Sequence, residues 1–380
     1  MSSPNPSSAP VLRVWDLPTR LYHWLQFILV ISALVIGFFG PEWLLPLHVW
    51  IGYAIAALIV FRLVWGLFGP HHSRFASFIP SRKKILDHIS ALRQGRPQHW
   101  IGHNPLGSVM VFALILVLIG ILITGIIALG GVENWGPFEG LVDFAIGNDV
   151  RYIHYALAYA LVALIGFHIL GVFVETRLSH TSLIKAMITG NKTLPRGSKI
   201  PNLQAAKTAP ALIAIFGSGA LIGLVFYLGS LAPASGFITP PTFKPYASEC
   251  SDCHELYNPS LLPRASWKLL MGNLQNHFGE DASLSDKTTK AIADYLNTYA
   301  SEAWDSEAAN QLRAVDPKNP TRITATPFWI KTHSGIDPKL FKTPPVNAKG
   351  NCQACHKDAA RGRFNDGQIS IPKLTPPAKN

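Results

Sequence analysis

Residues 151–170 read RYIHYALAYALVALIGFHIL. After Arg151 the stretch carries no Asp, Glu, Lys or Arg, and its two histidines, His154 and His168, stand 14 residues apart. On a helix this separation is roughly 21 Å along the axis and close to four whole turns, so both imidazoles leave the same face. The apolar segment near 152–174 is long enough to cross a bilayer, which needs roughly 20 residues. Ionisable side chains inside such a span are functional candidates by default.

Four more apolar segments, near 22–40, 48–68, 107–130 and 210–232, meet the same length criterion. The last two have no charged residue; the span at 48–68 has Arg62 near its end, where a long side chain can snorkel to the interface. Composition agrees with this reading. Of the 380 residues 48% are hydrophobic and only 14% charged, against about 25% charged in soluble domains. That excludes a chain disordered over most of its length and argues against an ordinary soluble enzyme. The expected fold is mainly α: a four-helix transmembrane bundle, a fifth transmembrane helix and a mostly helical exported domain.

Charge sets the orientation. Arg13 and Arg20 precede the first span; Arg74, Arg82, Lys83, Lys84, Arg93 and Arg96 follow the second; Arg177, Lys185, Lys192, Arg196, Lys199 and Lys207 follow the fourth. The intervening loops hold Glu42, and Glu133, Glu139, Asp143 and Asp149 against Arg151. Basic loops stay in the cytoplasm, so the N-terminus is expected inside and everything beyond residue 232 outside, in the periplasm of a bacterial inner membrane. The formal charge of +11 is mostly this bias, because 16 Lys and Arg against 8 Asp and Glu precede residue 233. No concentrated basic face marks a soluble nucleic-acid-binding domain. Residues 1–12 are expected to be a disordered tail. The first ten lack Lys and Arg and so do not form the basic region of a cleaved signal; the first span is expected to be retained as an anchor.

Depth pairs the histidines of the spans. His23 opens the first span on the cytoplasmic side and His48 opens the second on the outer side. Because the first and fourth spans run antiparallel, His23 meets His168 at the inner level, and His48 meets His154 at the outer level. Two stacked pairs of neutral imidazoles suit two six-coordinate haem irons that transfer electrons. Zinc would want a third or fourth protein ligand at one level, and interfacial hydrogen bonding is the structural alternative. Residues 11–180 resemble the bacterial cytochrome b561 family and are similar to the cytochrome b subunits of membrane hydrogenases and formate dehydrogenases. The matching residues are Val14, Trp15, Asp16, Arg20, His23, Trp24, His48, Gly52, the run Gly102-His103-Asn104-Pro105-Leu106-Gly107, His154 and His168. The resemblance implies haem b at both pairs and quinone chemistry near one face. The cytoplasmic run His103-Asn104 is a candidate for a quinone pocket near the inner haem, with Asn104 in the site; the alternative is helix-entry chemistry, Asn104 capping the third span and Pro105 standing in its first turn.

The exported part carries the sharpest motifs. All four cysteines lie in Cys250-Ser251-Asp252-Cys253-His254 and Cys352-Gln353-Ala354-Cys355-His356. CxxCH is the c-type haem attachment signature, with thioether-forming cysteines and an adjacent iron-binding histidine. A redox disulfide or a four-cysteine zinc site needs no histidine after each pair. For a second axial ligand the domain offers His277, 23 residues after His254, and His333, 23 residues before His356, while its one methionine is Met271. His277 with His254 and His333 with His356 is the preferred pairing; a crossed pairing stays open. Residues 286–300 place Ile292, Tyr295, Leu296 and Tyr299 at helical spacing, which predicts a core helix.

Residues of about 245–375 resemble the dihaem cytochrome c (DHC) family through Leu262-Pro263, Ser266-Trp267, Asn276-His277-Phe278-Gly279, His333 and Asn351 to His356. This resemblance implies bis-histidine haems and transfer to another exported haem protein, often a small oxygen-binding cytochrome c. The expected organisation is a tail at 1–12, a cytochrome b561-like domain at 13–200, a loop and fifth span at 201–232, a Pro-rich linker at 233–247 and a c domain at 248–380. The expected function is electron transfer from a quinol pool through two b haems and two covalent c haems to a small periplasmic cytochrome c. A terminal haem reductase acting on a small molecule and a membrane haem sensor without turnover are the alternatives.

Overall fold

The computed structural model describes residues 10–96, 100–194, 203–231 and 236–374. The chain is mostly helical and forms two compact units, one from residues 1–39, 47–125 and 152–226, the other from 40–46, 126–151 and 227–380. Of the expected disordered tail, residues 1–9 lie outside the described residues. Val11 and Leu12 instead belong to strand β1 (Val11–Arg13), paired antiparallel with β2 (Asn191–Thr193) in the register Leu12 to Lys192.

In the first unit α1 (Leu17–Phe39), α2 (Leu45–Phe68), α4 (Pro105–Val132) and α5 (Phe144–Ser179) supply the bundle, with the amphipathic α3 (Arg82–Arg93) between α2 and α4 in sequence. Each bundle helix gives at least one residue to a shared buried layer: Val30, Ile55, Ile59, Leu118 and Leu161. The outward face is apolar too, with Leu21, Ile28, Val35, Phe167 and Phe173 exposed. In lipid such helices are held by close packing rather than by exclusion of water. α6 (Leu183–Thr189) ends at Gly190, whose φ of +86° and close approach to the Trp15 carbonyl exclude a side chain. The Gly190 carbonyl accepts the N–H groups of both Val14 and Trp15. α7 (Thr208–Ser230) buries Ala211 and leaves Ile213 and Phe216 more than 70% exposed, as a lipid-facing helix would.

Five helices among the described residues are long and apolar enough to cross a membrane. The fourth begins at Phe144, earlier than the apolar run indicates, because Asp143 accepts the Ile146 N–H at 2.8 Å and caps a further two turns. Arg62 departs from expectation. It does not snorkel but is buried at 4% exposure, donates to the Ser73 carbonyl at 3.1 Å and lies 4.5 Å over the Phe75 ring. Ser73 Oγ and Trp65 Nε1 in turn donate to the Asp16 carboxylate at 2.9 and 2.7 Å. These internal partners offset part of the cost of taking the guanidinium out of water.

The second unit holds α8 (Lys244–Cys250), α9 (Arg264–Met271), α10 (Asp286–Tyr299), α11 (Glu307–Leu312) and α12 (Pro327–Thr332), joined by 3-10 turns. The Pro-rich linker is shorter than expected. Helix already begins at Lys244 with Pro245 in its first turn, where the missing N–H costs nothing; residues 232–235 lie outside the described residues. Ile292 and Leu296 of α10 are fully buried with Tyr246, Leu262, Trp267, Met271 and Ala300. Met271 is therefore a core residue.

The loop segments 40–46 and 126–151 belong to this same unit. Asn365 Nδ2 donates to the Glu133 carbonyl at 3.0 Å and the Asp366 N–H to the Glu133 carboxylate at 3.3 Å. Asp305 accepts the Phe144 N–H at 2.9 Å, and Arg151 pairs with Glu307 at 3.1 Å. Burial, with Glu42 and Glu307 nearby, pushes the Asp366 carboxyl up to about 7; burial, then Asp366 and Glu307, holds Glu133 well above its usual range. A carboxyl that binds its proton more tightly when folded supports the fold below its ordinary pKa and loses that support as pH rises through the raised value. Full-length protein is accordingly expected to become more susceptible to proteolysis within 126–151 between about pH 4 and about pH 7. Asp366→Asn should flatten that dependence.

Candidate functional site: four imidazole pairs

Within the first unit, His23 of α1 faces His168 of α5 with ring centroids 6.4 Å apart, and His48 of α2 faces His154 of α5 at 6.3 Å. Within the second, His254 faces His277 at 6.1 Å and His333 faces His356 at 6.1 Å. The uncrossed partners are the ones brought together. Metal–imidazole bonds of about 2 Å, with ring centroids roughly 1.1 Å behind each nitrogen, place two coordinating rings about 6.3 Å apart. All four pairs sit at the separation that one ion held between two imidazoles requires.

The donor sets fit haem rather than a bare metal. No group of three or more His, Cys, Asp or Glu side chains suited to one ion occurs among the described residues. Two axial ligands suffice only where the macrocycle supplies the remaining donors.

The remaining ring nitrogens orient the ligands. His48 Nδ1 lies 3.1 Å from the Ala33 carbonyl and His154 Nδ1 3.0 Å from the Ile121 carbonyl, with Thr124 Oγ1 at 3.3 Å. His254 Nδ1 lies 2.7 Å from the Glu255 carbonyl and His333 Nδ1 2.8 Å from the Trp329 carbonyl. Each Nδ1–H donates to an oxygen, which leaves the Nε2 lone pair for a metal. On the outer pair of the bundle, glycines make room for the rings. A Cβ on Gly37 would stand 3.1 Å from His48 Cε1, and one on Gly125 3.1 Å from His154 Cε1. Gly52, one turn after His48 on α2, has no heavy atom within 4 Å of a Cβ position, so the space beside it is open. His23 Nδ1 and His356 Nδ1 are buried without a partner.

No disulfide joins the four cysteines; Cys253 is exposed and the others half-buried. Burial pushes Cys250 up to about 11 and raises Cys355; burial and the Glu255 carboxylate raise Cys352. A redox CxxC pair depends on the opposite shift.

A separate cavity of about 220 Å³ in the first unit is lined by His71, His72, Phe78, Lys84, Trp100 and His103, among others. His72 Nε2, His103 Nδ1 and Trp100 Nε1 are buried there without hydrogen-bond partners. His103 is packed between Trp15 and Phe78, with ring centroids at 4.7 and 4.3 Å. Burial first, then Arg62, Lys192 and His72, lowers its pKa to about 3, so the ring is neutral. Asn104 does not line the cavity; its Oδ1 accepts the Gly107 N–H at 2.6 Å and caps α4. Of the run His103-Asn104, His103 lines the cavity and Asn104 does not.

Several contributors were not apparent from the sequence motifs. Glu255 directly follows the first CxxCH, and its carboxylate reaches the second. Trp329 stacks on His333 at 4.3 Å and 11°, and the four-residue interval along α12 is the one signal that a helix would bring them together. Gly37, Gly125 and Thr124 act across helix contacts that no local pattern reveals.

Comparison with known proteins divides at the same place. The family model "Prokaryotic cytochrome b561" matches residues 14–190, and "Dihaem cytochrome c" matches residues 246–364. The chain is 27% identical over 214 residues to a probable Ni/Fe-hydrogenase B-type cytochrome subunit of Bradyrhizobium diazoefficiens, covering 48% of this chain and 86% of that protein. A counterpart from Cupriavidus necator is 26% identical over 210 residues, covering 47% and 86%. The crystal structure of DHC from Rhodobacter sphaeroides shares 35% identity over 33% of this chain and 98% of its own, with a TM-score of 0.26. Residues 14–190 thus belong to the prokaryotic cytochrome b561 family and residues 246–364 to the dihaem cytochrome c family, which makes the chain a membrane haem electron-transfer protein with a b-type and a c-type part.

Proposed function

We propose that the protein is a tetra-haem conduit that carries electrons from membrane quinol to a small periplasmic cytochrome c. The observation that carries this reading is the common separation of the four imidazole pairs, 6.1–6.4 Å. When bound, each haem iron takes up and passes on a single electron. His23 and His168 hold the inner b haem, and His48 and His154 the outer one. Cys250, Cys253, His254 and His277 hold the first c haem; Cys352, Cys355, His356 and His333 hold the second. The carbonyls of Ala33, Ile121, Glu255 and Trp329 fix four of the eight ligand tautomers.

Quinol binds in the cavity beside His103, on the cytoplasmic side by the distribution of Lys and Arg. The unpartnered nitrogens of His72, His103 and Trp100 suit a neutral ring with a polar group at each end. Because His103 is held neutral, it can accept a hydrogen bond from a hydroxyl without carrying charge. The relatives are B-type cytochrome subunits of Ni/Fe-hydrogenases; here the attached c-type domain serves as the b domain's redox partner. A terminal reductase requires an open iron position, and the second imidazole facing each CxxCH histidine speaks against one.

Pyridine haemochrome analysis is expected to give two b and two c haems per chain. His48→Ala or His154→Ala should remove one b haem and leave heme c unchanged; a preparation without haem b would overturn the reading. Carbon monoxide should leave the reduced spectrum unaltered. In stopped-flow reduction by a quinol analogue, His103→Ala is expected to slow haem b reduction at least tenfold. Asn104→Ala should leave that rate near wild type while costing about 1 kcal/mol through the lost helix cap.

A further inference from the structure

The two CxxCH turns are joined by one side chain. The Glu255 carboxylate accepts the Cys352 N–H at 2.9 Å on one oxygen and the Gln353 N–H at 3.1 Å on the other. Its backbone carbonyl lies 2.7 Å from Nδ1 of His254. Among the described residues Glu255 takes part in no ion pair. Tyr257 adds a second strap, its hydroxyl donating to the Gly350 carbonyl at 3.0 Å two residues before Cys352.

The arrangement is asymmetric. Toward the first motif Glu255 presents a neutral carbonyl; toward the second it presents a carboxylate, at the backbone of the turn that carries Cys352. A carboxylate without a counter-cation opposes loss of the positive charge on ferric iron and favours the oxidised form. The effect falls with distance and with screening, so the nearer iron responds more.

We propose that Glu255 is a positioning residue that locks the two c-haem turns together and lowers the potential of the haem bound by Cys352 and Cys355 relative to its neighbour. The inference rests on the reading of both CxxCH motifs as haem c sites, which haem content checks separately. The path from the His254 ring through Glu255 to Cys352 runs through covalent bonds and two hydrogen bonds, so the same residue also fixes the geometry across which an electron passes between the two sites.

The test is potentiometric titration of the full-length protein, following the c-type α band, with Glu255→Gln and Glu255→Asp. Glu255→Gln keeps the size and removes the charge. With four haems still bound, one c haem should become several-fold more reduced at a fixed potential near its midpoint, while the other c haem and both b haems move little. Glu255→Asp retains the charge and should stay near wild type. If Glu255→Gln fails to retain the second c haem while Glu255→Asp retains it, the locking role is supported. Unchanged c potentials at full haem content, an equal shift of both, or the same shift in Glu255→Asp would overturn the proposal. A wild-type protein lacking haem c would instead refute the reading of the motifs.

Discussion

An imidazole inside an apolar bundle has two polar nitrogens and no water to satisfy them. That constraint organises the membrane unit. One nitrogen of His48 and one of His154 are satisfied by a backbone carbonyl of a neighbouring helix. The other points across a gap set by the opposite ring. Helices must approach closely enough for a side chain on one to reach the backbone of the next, and Gly37 and Gly125 supply that room. Lining the gap with carbon would leave two donors or acceptors unsatisfied, at about 1–3 kcal/mol each.

The loops beyond α2 and α5 obey the same requirement by other means. Arg62 stays inside the fold because Ser73 and the Phe75 ring receive its guanidinium, and Ser73 is itself held by Asp16. Nearby, His72, His103 and Trp100 have no such partners and surround an open volume. One cluster is closed and structural; the other presents unsatisfied polar atoms to a cavity, the usual mark of a ligand site.

In the c-type unit the buried apolar residues form small cores, one around Ile292 and Leu296 and one around Leu261 and Leu312. Met271, chemically able to bind iron, is used for packing, which leaves His277 and His333 facing the motif histidines. Glu255 then joins the two motifs across about a hundred residues of sequence. Glu133 and Phe144, the first residue of α5, contact Asp366 and Asp305 in the same unit, so this unit is assembled from segments far apart in the chain.

Much of this was legible in the linear chain. A run of apolar residues must be helical in a bilayer because only a helix satisfies its own backbone there. A 14-residue interval on a helix fixes two rings on one face, and CxxCH places its ligand beside its thiols by covalent proximity. Those are local consequences of backbone geometry, and they identified the five spans, the bundle histidines and the motifs. The inward turn of Arg62, the early start of α5 at Phe144 and the reach of Glu255 were not legible. Each depends on which atom of a distant segment comes within about 3 Å, the length of a hydrogen bond. That distance is set by packing and has no counterpart in spacing along the sequence.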